Sequence, residues 1–269
     1  MKKSFVLLAL LCFTVSFSQK NKKIKGNEKI TTITRTTSEY EGISVSGSFD
    51  VKLIYGKEGN ITIKGDENLL EFIITEVNNG KLSVYFEKNK NIQYNYNSSI
   101  EIIIPFEKIN QLTFTGSGNL TNNDLIKTDN LDFSMSGSGN VSFNSETNSL
   151  KITKSGSGNL NAKGTTTSID VNSAGSGNAN LLDLKSENAT VSQSGSGSTK
   201  VYCSKILNAQ TVGSGNIQYA GNPEKVSKNS TGSGSINGKQ MFSKIIKPQN
   251  IIDLRLFLYN LTTNYKLDR

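Results

Sequence analysis

The tripeptide Gly-Ser-Gly recurs seven times, beginning at Gly116, Gly137, Gly156, Gly175, Gly195, Gly213 and Gly232, with separations of 21, 19, 19, 20, 18 and 19 residues. A period near twenty points to a solenoid: a repeat of that length is one coil that cannot bury its own apolar face and must stack on its neighbours. The second glycines are Gly118, Gly139, Gly158, Gly177, Gly197, Gly215 and Gly234. Asparagine follows five of them, at Asn119, Asn140, Asn159, Asn178 and Asn216, and Ser198 and Ser235 fill the other two places.

Around each motif the apolar residues alternate. Leu131 and Phe133, Leu150 and Ile152, Ile169 and Val171 precede it; Val141 and Phe143, Leu160 and Ala162, Ile217 and Tyr219 follow it. A period of two is strand with one face inward. Helix is poorly served, because Ser, Thr, Asn and Gly compete with the helical backbone or cost it entropy. The expected fold is therefore all-β, a right-handed parallel β-helix with coils of about 19 residues. The glycines supply corners, where the chain bends sharply and stacked backbones leave no room for a side chain. The asparagines at matching places in successive coils predict a ladder of side-chain amides about 4.8 Å apart, and seven coils a rod of about 35 Å.

Residues 1–18 read as a signal peptide, with Lys2 and Lys3 before the apolar run Phe5 to Phe17 and small residues before Gln19. The run is too short to span a bilayer, and no transmembrane segment is expected after cleavage. Cys12 is preceded by Leu11, where a lipidation motif needs a small residue, and only Cys203 remains afterwards, read as a buried thiol. Residues 19–39 are expected to be a basic, Thr-rich linker, and residues 40–240 the β-helix. Within it, 40–115 form larger, less regular coils or a separate small β domain, and 116–240 the repeat coils. Strands are expected at Ile43 to Tyr55, Ile61 to Lys64, Lys81 to Phe86 and Ile100 to Phe114. Residues 241–269, with the Ile/Leu-rich stretch Ile251 to Leu261, are a tail or a cap on the open end.

The net charge of +8 resides at the ends: residues 1–30 contribute +6 and 241–269 contribute +3, leaving −1 for the body. No nucleic-acid partner is expected, since the body lacks a basic face to release counterions from phosphates.

No histidine is present, which removes Ser-His-Asp and Cys-His catalysis and the commonest metal ligand. Paired carboxylates remain, Asp129 with Asp132 or Glu58 with Asp66 and Glu67, but are better read as scattered solvated groups. Gly-Ser-Gly-Asn lacks the lysine and the helix N-terminus of a phosphate loop, and its period is twice that of calcium-binding β-rolls. The runs Thr165 to Thr167 and Thr31 to Thr37 invite an ice-binding ladder, but Asn148, Ser186 and Asn222 stand in comparable loops, so polar exteriors are expected there. Tyr85, Tyr94, Tyr96, Tyr202 and Tyr219 are candidate sugar-stacking aromatics without a common register. No catalytic residue, metal or cofactor is assigned.

The signal peptide, the segment Gly47-Ser48-Phe49-Asp50-Val51 and the serial Gly-Ser-Gly-Asn corners over roughly residues 40 to 240 resemble the head GIN domain family of exported bacterial proteins, labelled as auto-transporter adhesin heads. The resemblance implies a parallel β-helix and an adhesive role, and carries no catalytic or binding residues. No long series of barrel-type strands follows Gly238, so the auto-transporter part of the label is not expected to apply. The expectation is a non-catalytic binding scaffold of the cell envelope, its partner a polysaccharide or an envelope protein. A polysaccharide lyase or hydrolase and a purely structural envelope protein are the alternatives.

Overall fold

The structure, a computed structural model, describes residues 23–93 and 99–238. The expected signal peptide, Tyr94, Tyr96 and the stretch 241–269 lie outside the described residues.

The repeat region is a stack of parallel coils. Its strands are β10 (Gln111–Gly116), β11 (Asn119–Lys127), β12 (Asn130–Gly137), β13 (Asn140–Gly156), β14 (Leu160–Gly175), β15 (Ala179–Leu181), β16 (Leu184–Gly195), β17 (Thr199–Tyr202), β18 (Ile206–Gly213), β19 (Ile217–Ala220), β20 (Lys225–Thr231) and β21 (Ile236–Gly238). Strands before a corner pair with the corresponding strands of the next coil, β10–β12–β13–β14–β16–β18–β20, and strands after it do the same, β11–β13–β14–β15–β17–β19–β21. The register keeps corner on corner: Gly116 lies opposite Gly137, Gly137 opposite Gly156, and Gly175 opposite Gly195. The chain is a parallel β-helix of about seven turns.

The alternating residues fill its interior as columns. Ile43, Leu112, Phe133, Ile152, Val171, Val191 and Ala209 succeed one another across paired strands, and all are buried. Side chains become smaller from Phe133 onward, and Phe133 meets Phe143 of the facing wall at 4.9 Å between ring centres. The next inward position holds Phe114, Met135, Lys154, Ser173, Gln193 and Thr211, a column that turns from apolar to polar while remaining buried. Lys154 is 1% exposed, its ammonium has no hydrogen-bond partner, and burial holds its pKa below the ordinary value.

The first described part adds β1 (Lys23–Lys25), β2 (Ile30–Thr36), β3 (Gly42–Ser46), β4 (Phe49–Tyr55), β5 (Asn60–Asp66), the single helical turn α1 (Glu67–Leu70), β6 (Ile73–Asn78), β7 (Lys81–Phe86), β8 (Asn91–Gln93) and β9 (Ile100–Phe106). Here β3 joins β10, and β4 joins β11, so backbone hydrogen bonding runs without a break into the repeat. Two expectations need correction. The segment read as a linker contains β1 and β2; β2, Ile30–Thr36, is composed mostly of β-branched residues, which favour strand, and lies antiparallel on β5 with Ile33 opposite Ile63. The early strands are also not all coils: β5 is antiparallel to β9, and β6 and β7 form a hairpin. Its two-residue loop, Asn79-Gly80, has positive φ at both residues, the geometry that matches the twist of paired strands.

Candidate binding surface

Each corner is built on two glycines with different duties. Gly137 has φ +110°, which a side chain rarely tolerates, and a Cβ there would also lie 2.4 Å from the Gly116 carbonyl oxygen, whereas at Gly139 the constraint is space alone, a Cβ lying 2.4 Å from the Gly118 carbonyl oxygen. The carbonyl of the first glycine accepts two N–H groups of the next coil, as when Ser157 and Gly158 both donate to Gly137 at 3.0 Å.

The asparagines behind the corners are joined side chain to side chain. Asn140 Nδ2 donates to Asn119 Oδ1 at 3.2 Å and Asn159 Nδ2 to Asn140 Oδ1 at 3.1 Å; Asn178 reaches Asn159 Oδ1 through its backbone N–H at 3.1 Å. At the serine substitutions the ladder continues by backbone, Ser198 N donating to Asn178 Oδ1 and Ser235 N to Asn216 Oδ1. The first rung is Asp50, which belongs to the entry segment Gly47 to Val51 read from the sequence but was given no place in the ladder there. It stands where the later coils have asparagine, with Gly47 (φ +149°) stacked under Gly116 and Phe49 in place of the second glycine. The signal was present in Gly47-Ser48-Phe49-Asp50 as an imperfect copy of the corner.

Outward positions of the strands before the corners form two parallel columns. One contains Ser44, Thr113, Ser134, Thr153, Asn172, Ser192 and Gln210, and the other Ser46, Thr115, Ser136, Ser155, Ala174, Ser194 and the exposed Val212. Neither column holds a charged side chain. The flanking column does, and there Lys151 and Asp132 face each other at 3.7 Å.

A profile of the family described as "Putative auto-transporter adhesin, head GIN domain" matches residues 39–223. The chain belongs to the head GIN domain family. Among solved structures, a "putative adhesin" from Bacteroides fragilis is 24% identical, with a TM-score of 0.75, over 80% of this chain and 100% of that one. A "putative lipid binding protein" from Parabacteroides distasonis is 28% identical, with a TM-score of 0.67, over 81% of this chain and 100% of that one. A "putative adhesin" from Parabacteroides merdae is 22% identical, with a TM-score of 0.59, over 81% and 99%. No curated protein matches the chain.

In this head GIN domain the carboxylates weighed for catalysis are dispersed or occupied. Glu58 lies two residues before β5 and Asp66 is its last residue, so a strand about 20 Å long separates them, far beyond the spacing that glycoside hydrolysis needs. Glu58 accepts the backbone N–H groups of Tyr40 and Glu107, Asp66 is buried and accepts Glu28 N, and Glu67 lies in α1. Asp129 accepts Asn148 Nδ2 at 2.9 Å, and Asp132 is paired with Lys151. A cleft of about 280 Å³ is lined by Glu39, Glu41, Glu58 and Glu107 with Lys57 and Lys108. Among the described residues no group of three or more His, Cys, Asp or Glu is placed to hold a metal, and no helix is long and apolar enough to cross a membrane.

The threonine run is a correction. Thr165 and Thr167 are exposed, but Thr166 is buried and accepts the Thr147 hydroxyl at 2.9 Å, and Ser186, opposite Thr166 in the next coil, is buried too. These hydroxyls satisfy one another and the backbone inside a bend, where an apolar side chain would leave carbonyls unpaired. The tyrosines are scattered: Tyr85 lies on the outward face of β7, Tyr202 carries Lys185 over its ring, and Tyr219 carries Lys228.

Proposed function

We propose that the protein is an exported, adhesin-like scaffold of the bacterial cell envelope that holds a glycan or protein partner and performs no catalysis. The observation that carries this reading is the registered repetition of outward polar side chains over successive coils. One weak contact to a repeating partner is thereby multiplied along a rigid rod, so that avidity arises without a deep pocket. Relatives described as adhesins support the same direction.

The test is a glycan array and polysaccharide pull-down with the full chain, together with assays for new reducing ends and unsaturated products on the same polymers. Phospholipid vesicles form a further arm, because one relative is described as lipid binding. Saturable binding without product supports the reading. Product release overturns it in favour of a polysaccharide-active enzyme, and no binding in any arm, a pull-down of envelope proteins included, overturns it in favour of a structural role.

A further inference from the structure

The two outward columns on the strands before the corners are rich in hydroxyls and uncharged, whereas the outward column after the corners, Ser142, Asn161, Asn180, Lys200 and Gln218, includes a lysine. The asparagine ladder is consumed by its own rungs, and the buried hydroxyls of Thr166 and Thr211 by neighbouring carbonyls. By contrast, the hydroxyls of Thr113, Ser134, Ser136, Thr153 and Ser155 make no hydrogen bond to protein among the described residues, although they stand in register on a continuous sheet. Neighbouring groups are about 4.8 Å apart across strands and about 7 Å apart along them. Each offers one donor and two acceptors. Their short side chains lose little rotamer freedom when a ligand fixes them.

We propose, resting on the scaffold reading above, that this sheet face is the docking surface for an extended, uncharged polysaccharide. The chemistry of the face selects that occupant. It carries no charge, which disfavours nucleic acid and anionic lipid, whose recognition depends on cationic side chains. Nor does it have the aromatic, Met and Arg content of a protein-interface core, where serine is depleted. The nearest charges lie in the flanking column, where Lys151 stands between Asp132 and Asp170 and Asp170 accepts Asn172 Nδ2, leaving a small acidic balance that further disfavours an anionic partner. A polyhydroxylated neutral chain matches an array of neutral donors and acceptors, and a flat face suits an extended polymer or its packed surface better than a free sugar. At one end of the second column Tyr85 lies opposite Ser46, its hydroxyl fixed by Glu76 at 3.0 Å, which holds a ring where a terminal sugar can stack.

The test uses the full chain in depletion isotherms on microcrystalline cellulose, curdlan and mannan particles. Two variants alter the face, Ser136→Arg with Thr153→Arg, and the size-conserving Thr153→Val with Ser155→Ala. A control, Asn161→Arg with Asn180→Arg, places the same charges on the strands after the corners. Unchanged circular dichroism melts establish folding. Expected are saturable binding to at least one polymer, a loss of at least about tenfold in the arginine variant, about threefold in the size-conserving variant, and none in the control. Binding should change less than about twofold between ~50 and ~500 mM NaCl. Binding that ignores both face variants overturns this inference and leaves the scaffold reading standing, as does binding to proteins or vesicles alone. Ice-crystal shaping without polymer binding also overturns it, as does silence on all three polymers, which leaves the scaffold reading to its own glycan-array and protein arms.

Discussion

Asn119 donates its backbone N–H and its side-chain amide to the same oxygen, Asp50 Oδ1, at 3.2 and 2.8 Å. The carboxylate closes the ladder at its first rung, where an asparagine would have to turn one face of its amide outward unpaired. Asp50→Ala is expected to lower stability by about 1–2 kcal/mol, since it strips both donors of a charged acceptor, and Asp50→Asn by less. Thermal melts of the two variants check this; equal loss in both would show that the charge, and not the acceptor oxygen, carries the contact.

Backbone proximity at the corners makes a graded prediction. A Cβ on Gly158 would lie 2.0 Å from the Gly139 carbonyl oxygen, whereas one on Gly56 meets nothing within 4 Å. Gly158→Ala is expected to cost more than about 3 kcal/mol or prevent folding, and Gly56→Ala to remain within about 0.5 kcal/mol of the parent. Urea titrations of the pair would expose an error if the two costs were similar.

Lys154 stands in an interior column directly after Met135, so Lys154→Met places a side chain already used by the adjacent coil. The variant should be more stable by about 1–3 kcal/mol, because an unpartnered ammonium is removed. The sign with pH is fixed by burial, which lowers the folded-state pKa below the ordinary 10.5. Between those two values the unfolded chain binds more protons, so parent stability rises with pH. The penalty is complete below the folded pKa and gone above 10.5. The advantage of Lys154→Met should therefore shrink as the pH approaches that value; a gap constant from neutral pH to there would show that the lysine does not titrate on folding.

The Cys203 thiol is fully buried, faces the carbonyls of Glu187 and Ile206, and is pushed up in pKa by that burial. In a Cys12→Ser chain, an aromatic disulfide reagent should label no thiol on the timescale of mixing, and one thiol after addition of guanidinium. Rapid labelling of the folded chain would contradict the packing of this coil.

What was legible in the sequence was whatever repeats. The corners, the asparagine rungs and inward residues such as Phe133, Ile152 and Val171 follow from a fixed period and alternation, and the structure places them in register. Departures from the repeat were harder to read. Asp50 was hidden because Phe49 interrupts the motif, and β6 because attention to the long period passed over Asn79-Gly80, a short-range hairpin signal. Lys154 occupies an inward position by alternation, yet a lysine in a polar sequence reads as surface. The pairing of β2 with β5 depends on chain returning from a distance, which no local pattern encodes. The outward columns carry the least signal of all: serine and threonine between apolar residues are what any half-exposed strand contains, and only stacking aligns them.

Coil lengths vary while the corners stay in step, since Gly116 opposes Gly137 over 21 residues and Gly195 opposes Gly213 over 18. Surplus or missing residues are absorbed away from the glycines, so each coil meets its neighbours through nearly the same set of backbone contacts. A chain built this way can gain or lose one coil while the corner-to-corner contacts of the remaining coils are kept. Reach then becomes a heritable quantity, adjustable in steps of one strand spacing, about 4.8 Å, while the chemistry displayed along the rod is copied with each step.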